Sequence, residues 1–89
     1  MKYRGRDAKR DANEPAIVSD LETVGAEVFR LAQPCDLLVR FAFRLYLLDV
    51  SNPDYPNRKR DPEQVERFKR WGVVEVTCSD EALRAIGAI

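Results

Sequence analysis

The chain has 89 residues with 15 basic side chains, 15 acidic ones and no histidine, so its formal net charge is zero. That length makes one small domain, which buries only about 60% of its unfolded surface or somewhat more, and zero net charge leaves any case for nucleic acid or membrane binding to local patches. With Cys35 and Cys78 as its two cysteines, the chain lacks the donors for a closed zinc site, a disulfide framework or a histidine-dependent triad.

Residues 1–12 are polar and lack apolar periodicity, and Lys2, Arg4, Arg6, Lys9 and Arg10 outnumber Asp7 and Asp11. They are expected to form a flexible arm, either contacting phosphates or remaining a solvated tail. A single domain is expected over 13–89. Asn13 suits an N-cap and Pro15 a first turn, while Ile17, Val18, Leu21 and Val24 form an apolar stripe that ends at Gly25. Glu14 falls one turn ahead of Ile17 and Val18, on the buried edge of this helix, although an acid favoured by the helix dipole would also sit there. Ala26 to Ala32 reads as a short strand broken by Gln33 and Pro34.

The run from Pro34 to Ser51 holds two apolar strands, each with one acid, Asp36 and Asp49. If they pair as a hairpin turning at Ala42 and Phe43, then Arg40 faces Leu45, Leu38 faces Leu47 and Asp36 faces Asp49 on the same side of the sheet. The turn is the weak point, because Phe41-Ala42-Phe43-Arg44 lacks the glycine or Asn-Gly chemistry of short hairpins. The alternative is that Asp36 merely starts a strand and Asp49 ends one.

A turn-rich connection follows, ending in the basic cluster Arg58, Lys59 and Arg60. Asp61 then caps a helix with Pro62 at its first position, Gln64 in a capping-box position and a stripe of Val65, Phe68 and Trp71 before Gly72. Val73 to Cys78 reads as a strand, and Ser79 opens a last helix with Ala82, Leu83 and Ile86 inward. The order α-β-β-β-α-β-α predicts an α/β fold, a mixed sheet flanked by helices. Cys35 and Trp71 are expected in the core, and Tyr3 and Tyr55 are either ring contacts or incidental.

Glu14, Asp36 and Asp49 are the acids predicted to point into apolar surroundings. Three convergent carboxylates suit one or two Mg²⁺ ions and phosphodiester hydrolysis. Asp11-Ala-Asn-Glu-Pro-Ala-Ile-Val, Cys35-Asp-Leu-Leu-Val, Leu47-Leu-Asp-Val-Ser, Asp61-Pro-Glu-Gln and Ser79-Asp-Glu-Ala-Leu together resemble the small phage and bacterial VRR-NUC type nucleases of the PD-(D/E)xK superfamily. The resemblance runs from Asp11 to Gly87. It implies a restriction-endonuclease-like αβββαβα core, Mg²⁺ (or Mn²⁺) bound by Glu14, Asp36 and Asp49, a site-proximal Gln64 that could equally be only a cap, DNA as substrate and a homodimer.

The chain departs from that pattern in several places. The family's lysine two residues after the strand acid is Ser51, which can hydrogen-bond a water but carries no charge. The glycine-rich loop before the Pro-Asp pair is shortened, with the proline displaced by one residue, the hairpin turn lacks its glycine, and Asp49 replaces a longer Glu. Arg40 or Lys59 could supply the missing cation, although Arg40 also suits an ordinary strand ion pair. The expected function is a Mg²⁺-dependent endonuclease acting on branched or structured DNA, or its recently degenerated descendant. The alternative is an inactive nuclease-fold module that binds a protein or nucleic acid, for example a phage-encoded inhibitor. No signal peptide or long apolar span is seen, so the expected setting is the cytoplasm of a bacterium or phage-infected host, with no membrane partner.

Overall fold

The computed structural model describes residues 12–53 and 61–89. Most of the expected arm (Arg4, Arg6, Lys9 and Arg10 included), the cluster Arg58, Lys59 and Arg60, and Tyr3 and Tyr55 lie outside the described residues. The elements are α1 (Glu14–Thr23), β1 (Glu27–Arg30), β2 (Leu37–Phe41), β3 (Arg44–Val50), α2 (Pro62–Trp71), β4 (Val74–Val76) and α3 (Ser79–Ala85). This is the predicted order: a small α+β domain with a four-stranded mixed sheet and three helices. None of its described helices is long and apolar enough to cross a membrane.

The strands lie in the order β1-β2-β3-β4, antiparallel in the first two pairs and parallel in the third. The parallel pair follows from α2, since returning a strand in the same direction requires a crossover. Leu37, Val39, Leu48, Val50 and Val76 point to one face, where Ile17 and Leu21 of α1 and Ala82 of α3, with Ile86 just beyond it, close the core. We call this the inner face. The spacing of Ile17 and Leu21 buries them as predicted, and it carries Glu14, 1% exposed, with them.

Three positions of the predicted apolar stripes are wet. Val24 follows the last turn of α1 and is 40% exposed, and Trp71 ends α2 at 54%. Of the α2 stripe, Phe68 is the residue that is buried, whereas Val65 is exposed. The start of α2 is as expected: Asp61 is the N-cap and accepts from the Glu63 N–H at 3.3 Å, so the side-chain cap bond runs to Glu63 and not to Gln64.

The β2–β3 hairpin has the predicted register, Arg40 to Leu45 and Leu38 to Leu47. Its turn is made by Ala42 (φ 52°) and Phe43 (φ 67°), both in the left-handed region. Two positive φ values give the twist a two-residue hairpin needs, but each costs an L residue roughly 1–2 kcal/mol. Replacing Ala42 by Asn and Phe43 by Gly is expected to raise unfolding stability by about 1–2 kcal/mol. Urea denaturation checks this: the midpoint should rise with the slope unchanged.

Candidate functional site

The pairing brings the end of β1, the start of β2 and the ends of β3 and β4 to one edge of the sheet. Asn13 fastens the start of α1 there. Its Nδ2 donates to Ser51 O at 3.0 Å and to Thr77 O at 2.7 Å, just past β3 and β4. The residue holds the N-cap position without a side-chain capping bond, and its Oδ1 is buried with no hydrogen-bond partner among the described residues. Sequence spacing alone gave Asn13 a capping role. Its tertiary role joins positions 38 and 64 residues apart, a distance local patterns do not report.

Glu14 is held at the same edge. Arg30 of β1 donates from Nε to Glu14 Oε2 at 3.1 Å, the guanidinium side half exposed and the carboxylate enclosed. Arg30 is the register partner of Leu37, so this pair lies on the α1 side of the sheet.

Carrying the Leu37–Leu48 register one residue outward sets Asp36 across from Asp49, as predicted, on the outer face opposite the inner-face leucines. Asp49 is buried at 6% exposure. Asp36 is half-buried, and its Oδ2 accepts the Val50 N–H at 2.8 Å, closing the end of the ladder. Glu75 is the β4 partner of Asp49, and Ser51 Oγ donates to Glu75 Oε2 at 3.4 Å. Asp36, Asp49 and Glu75 thus form an acidic row across three strands. Glu75 was not among the predicted site residues, although its place between Val74 and Val76 signals an outward side chain.

The predicted acids therefore gather at one edge, with Asp36 and Asp49 on the outer face and Glu14 on the inner side. Among the described residues, no group of three or more Asp, Glu or Cys side chains is arranged to hold a metal ion. Gln64 is half-buried in the first turn of α2, its N–H bonded to Asp61 O at 2.9 Å. Arg40 shares the Asp36 face but lies two rows away, where its Nε meets Glu27 Oε1 at 2.6 Å. It is the ordinary strand ion pair, formed with Glu27.

Cys35 is buried, as expected, and its Sγ contacts Leu37 O at 3.8 Å. Burial pushes the thiol up to about 11, hydrogen bonding to the Leu37 backbone opposes this, and the charges of Asp49 and Asp36 push it further up. A thiol raised from 9.0 to about 11 favours the fold fully below pH 9, and that contribution is lost as pH rises through 11. Thiol titration with an aromatic disulfide at neutral pH should show Cys78, which is exposed, reacting at once and Cys35 reacting only on unfolding. Next to the site, the Thr77 backbone N–H and then its hydroxyl hold Glu81 below the usual carboxylate range, fixing the start of α3.

Comparison of the chain with known protein families, with curated proteins and with solved structures finds no match.

Proposed function

We propose that the chain is a Mg²⁺-dependent DNA endonuclease on a restriction-endonuclease-like core, with Glu14, Asp36 and Asp49 as its metal-binding acids. The observation that supports this most is the pair Asp36 and Asp49, set across from each other at the sheet edge to which α1 also brings Glu14, with Glu14 at 1% and Asp49 at 6% exposure. Asp49 lies at the carboxyl end of β3, which pairs in parallel with β4, and the carboxyl ends of parallel strands are where open α/β sheets place ligands. All the donors are oxygens, which fits Mg²⁺ or Mn²⁺. The buried Asn13 Oδ1, without a hydrogen-bond partner among the described residues, adds a further oxygen acceptor near the start of α1.

When bound, the metal supplies polarisation of a phosphate oxygen and a lowered pKa for a bound water. The chain's own residues do the rest. Val50 N–H fixes the direction of the Asp36 carboxylate, and Ser51, in the lysine position of the resembled family, orients a water through its hydroxyl. Gln64 stands at the α2 start to contact the substrate. Arg4, Arg6, Lys9, Arg10, Arg58, Lys59 and Arg60 supply phosphate contacts that position DNA without reading its sequence.

A second reading is a binding module that no longer cuts, engaging nucleic acid or a protein. The Ser51 hydroxyl on Glu75 favours it, because this position pairs with an acid and brings no cation. A panel of plasmid, single-stranded and branched DNA, incubated with wild type and Mg²⁺ or with chelator, separates the two. Metal-dependent cleavage supports the nuclease. Binding without cleavage supports the module.

A further inference from the structure

One amide ties together the segments that carry the acids. Asn13 immediately precedes Glu14, and its Nδ2 donates to the carbonyl of Ser51, two residues past Asp49, and to that of Thr77, two residues past Glu75. Both acceptors are carbonyl oxygens, so the nitrogen end of the amide is the end that faces them, and both of its N–H groups are used. The Glu14 carboxylate is held separately, by Arg30 Nε on Oε2 at 3.1 Å.

Helix α1 loses its cap by this arrangement. A residue at the N-cap ordinarily sits in extended backbone and accepts a free N–H of the first turn with its side chain. Asp61 does so at the start of α2, with ψ at 132°. Asn13 instead has φ −83° and ψ −8°, inside the helical region, and makes no cap bond. An asparagine that gives up the local bond for a tertiary one departs from local preference, and such departures are expected at functional positions.

We propose that Asn13 is a positioning residue for the metal site, setting the helix-borne Glu14 against the strand end that carries Asp49 without itself touching the metal. The inference rests on the divalent-cation reading above. Arg30 restrains the Glu14 carboxylate, whereas Asn13 fixes where the helix backbone starts relative to β3 and β4. Glu14 leaves that backbone at the next residue, so any shift of the helix start passes directly to its carboxylate.

Calorimetric titration with Mn²⁺, with urea unfolding of the same samples, tests this. Asn13→Ser suits an N-cap but cannot span both carbonyls, and it is expected to weaken Mn²⁺ binding about 10- to 100-fold. Asn13→Gln keeps the amide on a side chain one methylene longer, so it should unfold near the wild-type midpoint and still bind Mn²⁺ more weakly. Ile17→Val, in the next turn of the same helix and buried in the core, should lower the midpoint and leave Mn²⁺ affinity at the wild-type value. Wild-type affinity in either Asn13 variant, or a fall as large in Ile17→Val, would overturn the proposal and leave Asn13 a structural clamp. Should Asn13→Ser not fold, Asn13→Gln decides. A wild type that binds no Mn²⁺ would overturn the metal reading and this proposal together, which tells the two failures apart.

Discussion

Replacing Leu48 by alanine is expected to lower unfolding stability by about 3–4 kcal/mol. Leu48 is fully buried, pairs with Leu37 on one side and Val74 on the other, and belongs to the core that α1 and α3 close. A domain of this size has a total stability on the order of 5–10 kcal/mol, so one truncation removes a large share of it. Val24→Ala, at a position 40% exposed, should cost less than about 1 kcal/mol. Thermal or urea unfolding of the two variants beside wild type reads the difference. Equal losses would mean that the inner face is not the core. Leu48 precedes Asp49 and Leu37 follows Asp36, so loosening this pair should also weaken whatever the two carboxylates do.

Asp49→Ala is expected to reduce metal-dependent DNA cleavage by about 10³-fold or more, because it removes the more deeply buried carboxylate of the pair. The informative companion is Asp36. Asp36→Asn keeps an oxygen for the Val50 N–H, whereas Asp36→Ala leaves that donor without its side-chain acceptor. Stability should therefore fall by about 1–2 kcal/mol in Asp36→Ala and little in Asp36→Asn, while cleavage falls steeply in both. A purely structural Asp36 would differ in one readout: Asp36→Asn would then keep normal cleavage as well as near-normal stability. Initial cleavage rates at saturating Mg²⁺, with circular dichroism on the same samples, separate these outcomes.

The hairpin register was legible because alternation of side chains fixes it. One residue of slip would turn Leu37, Val39 and Leu48 to the outer face. Helical spacing likewise placed Glu14 beside Ile17 inside the domain. Tertiary partnerships were not legible. Arg30 on Glu14, Val50 N–H on Asp36 and Asn13 across two strand ends each join residues that only the folded sheet brings together. Trp71 and Val65 misled because an apolar stripe reports which side of a helix is apolar, not whether another element covers it. The missing glycine at the turn was visible, but the result was not a longer loop. The chain keeps two residues there and accepts left-handed Ala42 and Phe43.

The central claim is that the acids at this sheet edge bind a divalent cation. Calorimetric titration of the purified protein with Mg²⁺ and with Mn²⁺, wild type beside Asp49→Ala, tests it most directly. The account predicts saturable binding to wild type that Asp49→Ala loses, with a thermal midpoint that rises with metal in wild type alone. A wild type that binds neither ion, or an Asp49→Ala variant that binds as wild type does, would contradict it.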